Sequence, residues 1–224
     1  MRARWAAIFD LDGLLADTEP LWSESARLLL ARRGREYDPG LKLIFMGRHP
    51  LEVAGLLVER YGLEEDAGSL LDERLAILEE LYASKPIAAM PGAADLVAAL
   101  AREGVPMAVA SGSPTAVLKA VLGRLGLPGR FPVQLGSDQV ARGKPAPDLF
   151  LLAAERLGVA PARCVVLEDA IAGVDAARAA RMAVVAVPGE PVPRERVAHA
   201  DLVAPSLAAL TPAILARLAR RNDA

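Results

Sequence analysis

Two aspartates two residues apart, Asp10 and Asp12, follow an apolar run that ends at Phe9, and Gly13 comes just after them. A strand ending there carries the first carboxylate into a crevice, and the alternation of side chains along extended backbone aims both the same way. Adjacent carboxylates repel unless a divalent cation neutralises one while the other keeps a proton, and that division is what a nucleophile and a general acid require. A second acidic pair, Glu168 and Asp169, follows the apolar run Cys164, Val165, Val166, Leu167. Such carboxylates are hard oxygen ligands of the kind Mg2+ takes together with a backbone carbonyl, water and substrate phosphate. Plainer readings stand beside these: turn aspartates next to Gly13, and a cap from Glu168 or Asp169 for a helix beginning near Ala170.

Ser111 and Lys144 are the other candidates. Ser111 ends the run Pro106 to Ala110 and leads through Gly112, Ser113 and Pro114 into a helical stretch, where a hydroxyl and free backbone amides suit phosphate oxygens. Ser113 there also reads as an ordinary helix cap, with Pro114 at the first helical position. Lys144 lies in Gly143, Lys144, Pro145, Ala146, Pro147, a stiff loop that braces the backbone behind the ammonium, although a solvated surface lysine fits the same string. Pro145 stands where a P-loop has Ser or Thr, and no Gly-x-Gly-x-x-Gly follows the first apolar run. A Gly-x-Ser-x-Gly elbow is missing as well, and the only histidines are His49 and His199, so neither a serine hydrolase nor a histidine-rich metal site has its parts.

These residues need a frame that brings them together. Short apolar runs at Trp5 to Phe9, Pro106 to Ala110, Pro132 to Leu135, Cys164 to Leu167 and Ala183 to Val187 read as buried strands. Between them, Ala93 to Arg102, Thr115 to Leu125, Asp148 to Leu157 and Ala170 to Ala180 have helical spacing, and a last helix runs from about Ser206 to Arg220. Strands alternating with helices predict an α/β fold, a Rossmann-like parallel sheet with helices on both faces, and ligands bind at the carboxyl ends of such strands. Phe9 and Pro106 are separated by roughly 95 residues where one crossover helix needs only about 10 to 20. Leu21 to Arg33, Leu51 to Tyr61 and Gly68 to Ala83 fill that gap with helical spacing and no convincing strand. The division is therefore a core of 1–16 and 89–224 with a helical cap subdomain of 17–88. Helices packed flat on the sheet as an ordinary layer are the other reading of that segment.

Charge and composition narrow the partners. Lysine and arginine number 26 against 28 acidic residues, a formal charge of −2, so no global field grips nucleic acid or an anionic membrane. No apolar run approaches the ~18 residues of a membrane-spanning helix, and nothing marks the chain for export. The lone Cys164 reads as a core residue and points weakly to a reducing, cytoplasmic setting. A monomer binding a small-molecule phosphate ester, with no nucleic-acid or membrane partner, is the expectation.

Taken together, these motifs resemble the haloacid dehalogenase superfamily, in particular the subgroup of β-phosphoglucomutase-like sugar-phosphate phosphatases. Asp10-Leu11-Asp12-Gly13-Leu14-Leu15-Ala16-Asp17-Thr18-Glu19 is similar to its first motif, Ser111 to its second, Lys144 in Gly-Lys-Pro-Ala-Pro-Asp to its third, and Glu168-Asp169 to its fourth, in the same order over nearly the whole chain. The resemblance implies that Asp10 is the nucleophile that becomes an aspartyl-phosphate and that Asp12 is the general acid and then the base. It implies Mg2+ on the Asp10 carboxylate, the Asp12 carbonyl and Asp169 with support from Glu168, and phosphoryl oxygens on Ser111 and Lys144. Dehalogenases of the superfamily lack the second aspartate, so Asp12 argues for phosphoryl transfer. Related mutases carry histidine where this chain has Trp22, and phosphonate-cleaving members use a cap lysine that Leu21 to Arg33 does not contain. Substrate choice is expected from the cap, through Thr18 and Glu19 beyond the crossing point and Arg48 or His49 in a turn with Gly47, with Gly112 beside the phosphate; solvated loop residues are the alternative for Arg48 and His49. Competing functions are a phosphosugar mutase, a phospho-receiver signalling domain, whose acceptor follows a third strand rather than the first, and a non-catalytic binding scaffold.

Overall fold

The computed structural model describes residues 5–46, 48–189 and 192–220. In chain order its elements are β1 (Ala6–Phe9), α1 (Glu19–Ala31), α2 (Lys42–Phe45), α3 (Pro50–Tyr61), α4 (Ala67–Ser84), α5 (Ala93–Arg102), β2 (Met107–Ala110), α6 (Thr115–Arg124), β3 (Val133–Leu135), α7 (Asp148–Leu157), β4 (Cys164–Glu168), α8 (Ile171–Ala179), β5 (Ala183–Ala186), β6 (Leu202–Val203) and α9 (Pro212–Arg220). The strands form one parallel sheet in the order β3-β2-β1-β4-β5-β6.

The side-chain period of two explains the layers. Ala7, Phe9, Val109, Val165, Leu167 and Val185 face one core with α5, α6 and α9, while Ala6, Ile8, Ala108, Val166 and Val184 face a second with α7 and α8. With β1 flanked by β2 and β4, the chain winds away in both directions from the centre, and the carboxyl ends of these strands border a switch-point crevice. Cys164 lies within the second core, and burial pushes its thiol up to about 12, so it is an inert packing residue.

The five expected strands and four expected sheet-covering helices form within a residue or two of their predicted ends. Three details differ. A sixth strand, β6, adds to the sheet edge, α2 is a short extra helix, and the closing helix begins at Pro212 after a separate 3-10 turn at Leu207–Ala209. Proline lacks the N–H and fixes φ, so it starts the final helix rather than continuing one.

Helices α1 to α4 occupy the long gap and pack chiefly on one another, α4 lying against both α1 and α3. The chain leaves the sheet and returns to it side by side: the Asp17 N–H donates to the Ala88 carbonyl at 2.9 Å, and the Met90 N–H to the Leu15 carbonyl at 3.0 Å. Gly47 falls outside the described residues. Among the described residues no helix is long and apolar enough to cross a membrane.

The turn between β4 and α8 is tight because of one glycine. A Cβ on Gly173 would lie 1.9 Å from the Glu168 carboxyl carbon, so the bare Cα makes the space that the Glu168 side chain fills. Gly123, by contrast, sits in α6 with nothing within 4 Å of where a Cβ would be. Gly173→Ala is expected to destabilise the fold by about 1–3 kcal/mol through overpacking. Gly123→Ala should be neutral or gain up to about 1 kcal/mol from helix propensity. Urea denaturation of the two variants checks the contrast, and equal midpoints would contradict it.

Candidate active site

Asp10 follows the last residue of β1, Ser111 follows β2, and Glu168 ends β4 with Asp169 next to it, so three neighbouring parallel strands bring their carboxyl ends to one place. Lys144 arrives from the loop before α7 and is 2% exposed. Its Nζ lies 2.5 Å from Asp10 Oδ1 and donates as well to Glu168 Oε1, while the Phe150 ring stands 4.9 Å away. This lysine is therefore an ion-pair partner of both acids, and the surface reading of Lys144 does not hold. Although burial disfavours an ammonium, the Asp10 and Glu168 carboxylates hold it well above the usual lysine range.

Glu168 is held from its backbone side too. Its Oε2 accepts the Asp169 and Ala170 N–H groups at 3.1 Å each, both ahead of the first helical residue Ile171, and α8 has no side-chain cap, so the cap reading of Glu168 or Asp169 does not hold. Asp169 is different: 2% exposed, its carboxylate receives no hydrogen bond among the described residues. Burial, and then the Glu168 and Asp10 charges, raise it well above the ordinary carboxylate range. Burial likewise raises Asp10, against the pull of Lys144.

Asp10, Glu168 and Asp169 can each offer one oxygen within 4.8 Å of the others. One ammonium cannot neutralise three buried carboxylates, and the unpartnered Asp169 oxygens are left without a cation. The donor set is all oxygen, which fits a hard divalent ion such as Mg2+. Gly13, at φ +81, lets the backbone pass this group, since a Cβ there would sit 2.3 Å from Asp169 Oδ2.

Asp12 is drawn away from its neighbour and held by four side chains. Thr18 Oγ1 donates to Oδ1 at 2.6 Å and Trp22 Nε1 at 3.1 Å, while Ser111 and Ser113 hydroxyls donate to Oδ2 at 2.9 and 2.6 Å. Thr18 is the residue before α1, yet its hydroxyl serves Asp12 instead of capping the helix. Ser113 behaves alike, a correction to the cap reading: α6 starts at Thr115, its preceding Pro114 has no side-chain cap, and Ser113 turns to Asp12. Ser111 Oγ also accepts the Ser113 N–H at 2.9 Å.

A pocket opens above Asp10 and Asp12, with Gly112 and Ser113 on the sheet side and Glu19, Trp22, Arg48 and Arg74 from the helical insertion. Arg48 pairs with Glu52 at its rim. His49 does not line it: Nδ1 accepts the Leu51 N–H at 3.2 Å to cap α3, and the ring packs on Gly143, one residue before Lys144. Thr18 is fully buried behind Asp12. Sequence reasoning passed over Ser113, Trp22 and Arg74 as site residues. Signals existed: Trp22 is one helical turn after Thr18, and Arg74 interrupts the apolar stripe Leu70, Ile77, Leu78, Leu81 on the buried side of α4.

Residues 6–181 match the haloacid dehalogenase-like hydrolases. Among curated relatives, a bifunctional riboflavin kinase/FMN phosphatase of Arabidopsis thaliana is 37% identical over 203 residues, covering 89% of this chain and 52% of that protein. The chain thus spans about half the length of that relative. Fructose-1-phosphate phosphatase YqaB of Escherichia coli (strain K12) is 37% identical over 183 residues, 81% of this chain and 96% of its own. The crystal structure of β-phosphoglucomutase from Clostridium difficile superposes with a TM-score of 0.86 at 26% identity, covering 96% of this chain and 97% of that one.

Burial, and then the charge of Asp12, raises the Glu19 carboxyl from 4.5 to about 7, with Lys42 3.9 Å away. A raised carboxyl binds its proton more tightly in the folded state, so its contribution is full below the unfolded value and is lost as pH rises through about 7. In chelator, stability is expected to fall between pH 5 and 8, and Glu19→Gln should lessen that fall by roughly 2 kcal/mol. Urea unfolding at both pH values measures it; identical pH slopes for the two proteins would contradict the assignment.

Proposed function

The chain belongs to the haloacid dehalogenase-like hydrolases and is a phosphoric monoester hydrolase, and on that footing we propose a magnesium-dependent phosphatase that acts on small sugar phosphates through an aspartyl-phosphate on Asp10. The observation that carries this reading is Lys144 buried between Asp10 and Glu168, beside an Asp169 carboxylate that has no hydrogen-bond partner among the described residues. Asp10 is the oxygen nucleophile, kept anionic by the ammonium against the burial that favours its protonated form. Asp12 gives a proton to the departing alcohol and then takes one from the water that opens the acyl phosphate. Ser111 and Lys144 hold the transferring phosphoryl oxygens. Asp10, the Asp12 carbonyl and Asp169 would hold the metal, with support from Glu168, which also anchors Lys144. A divalent ion held there would supply positive charge that offsets the repulsion of the two anions.

Residues 17–88 act as a cap that closes over the ester, on a core of 1–16 and 89–224; the hydrogen-bonded outgoing and returning segments at Asp17 and Ala88 support that boundary. Glu19, Arg48 and Gly112 face the substrate from the pocket wall, whereas Thr18 and His49 act from behind it. The sugar-phosphate class is supported by the likeness to a fructose-1-phosphate phosphatase and by a pocket lined by Asp10, Asp12, Glu19, Arg48 and Arg74. Against a mutase stands Trp22, which fills the place of the mutase histidine and is already bound to Asp12.

Phosphate release from a panel of hexose, pentose, polyol and nucleoside monophosphates tests the proposal. Release from one or a few sugar phosphates is expected, abolished by chelator and lowered at least about 1,000-fold by Asp10→Asn with the fold intact. Asp169→Asn should raise the magnesium concentration needed for half-maximal rate at least about tenfold. Full activity of the Asp10→Asn protein, or an unchanged magnesium requirement in the Asp169 variant, would overturn the corresponding role.

A further inference from the structure

The end of α4 is closed by a residue from the other part of the molecule. The last four carbonyls of an α-helix have no intrahelical N–H to accept from. α4 is followed by Lys85 in extended conformation, φ −111 and ψ 147, rather than by a left-handed glycine, and its last turn holds no basic side chain. Ser84 Oγ donates back to the Glu80 and Leu81 carbonyls at 2.8 and 3.3 Å, and the Lys85 N–H to that of Leu81 at 2.8 Å. Further along, the Tyr82 carbonyl accepts from Arg124 Nη1 and the Lys85 carbonyl from Arg124 Nη2, the latter at 3.1 Å. Arg124 is the last residue of α6, and its charge also suits the negative end of the α4 dipole.

The place of this fork in the fold gives it leverage. The chain crosses between sheet and insertion at the bonded segments Leu15 to Asp17 and Ala88 to Met90. Tyr82 and Lys85 precede that crossing and belong to the insertion, whereas Arg124 belongs to α6, whose Leu118, Val121 and Leu122 are buried against the sheet. The arginine therefore ties the two parts together beyond the backbone crossing, where a rotation of the insertion about that crossing pulls its bonds apart. Across the pocket, Met46 of the insertion is buried in the second core, and His49 Cβ lies 2.7 Å from where a Cβ on Gly143 would be, so the insertion is down on the sheet part while Arg124 holds it. Because α4 packs on α1 and α3, fixing its end fixes the pocket wall that carries Glu19, Trp22, Val53 and Arg74.

We propose that Arg124 is a positioning residue: its guanidinium latches the last turn of α4 to α6 and holds the helical insertion over the crevice. The inference rests on residues 17–88 acting as a cap on a phosphatase. Arg124 is exposed and is not among the residues that line the pocket, so it acts through α4 and touches no group assigned to the chemistry. Bonds made in only one of two arrangements shift the population toward that arrangement, and substrate binding is weakened in proportion when they are lost.

Steady-state kinetics with the best sugar phosphate of the panel test the latch. Arg124→Ala is expected to raise KM about 3- to 10-fold while kcat stays within about twofold, since bound substrate draws the insertion down. Arg124→Lys, which keeps the charge but not the fork, should fall between the two. Millimolar methylguanidinium should restore the KM of Arg124→Ala and leave the parent protein unchanged. A loss of folding stability alone lowers kcat through the active fraction and is not repaired by a small cation. Spin labels on Glu59→Cys in the insertion and Arg156→Cys in the sheet part, both exposed positions, read the same arrangement without substrate, with Cys164 buried and unlabelled. Arg124→Ala is expected to broaden their distance distribution toward longer values. An unchanged distribution, an unchanged KM, or a raised KM that methylguanidinium does not relieve would overturn the role of Arg124. If the parent protein hydrolyses no ester of the panel, the phosphatase reading falls, and the label distances alone decide the latch.

Discussion

A lysine ammonium with almost no access to water must be surrounded by oxygen, and in this protein Lys144 is met by Asp10 from the end of β1 and Glu168 from the end of β4. Desolvating an ion costs several kcal/mol, and removing one partner of such a group leaves a charge uncompensated. The arrangement therefore fixes a good deal around it. Strands β1 and β4 must pair in register, with Ala6 opposite Cys164 and Phe9 opposite Leu167, so that both acids arrive together. Gly173 must lack a side chain so that Glu168 can fold back to accept the Asp169 and Ala170 N–H groups. The proline-flanked loop must deliver the ammonium over Phe150. What the lysine leaves uncompensated, chiefly the Asp169 carboxylate, is the electrostatic reason a divalent cation fits beside it.

The second organising residue is Asp12, which ties the sheet to the helices above it. Its carboxylate is shared between serines after β2 and two residues at the start of α1, so the acid stands at the seam between the two parts of the molecule. His49 against Gly143 closes the same seam from the other side, one residue from Lys144. The crevice and the helices between β1 and β2 thus meet through direct contacts at Asp12 and at Gly143.

Much of this is legible in the sequence. Buried parallel strands are short, continuous apolar runs, which is why β1, β2, β4 and β5 could be read nearly to the residue and why acids just after them stood out. β6 was invisible because Leu202 and Val203 are only two residues and half-buried, with no run to detect. The closing helix was drawn too long because its apolar spacing continues back through Leu207 and Leu210, and only Pro212 marks the start of α9. In the site, residue types were readable and partners were not. Nothing local distinguishes a lysine buried between two carboxylates 134 and 24 residues away from one in solvent. Trp22 was noticed as a departure from the mutases, but its bond to Asp12 depends on how α1 meets the sheet. Arg74 reaches the Trp22 carbonyl across 52 residues, a contact that only packing of α4 on α1 creates. Ser113 was misread because its sequence neighbourhood is that of a cap, and the tertiary demand of Asp12 overrode that local preference.

In the proposed mechanism Asp10, held by Lys144, forms the covalent bond to phosphorus. Rapid acid quenching of the enzyme during turnover of its best substrate, followed by peptide mass spectrometry, examines that bond directly. A phosphorylated peptide carrying Asp10 is expected to appear and decay with turnover and to be absent from the Asp10→Asn protein. Phosphate release at full rate with no phosphorylated intermediate, or with the phosphoryl group on any other residue, would contradict it.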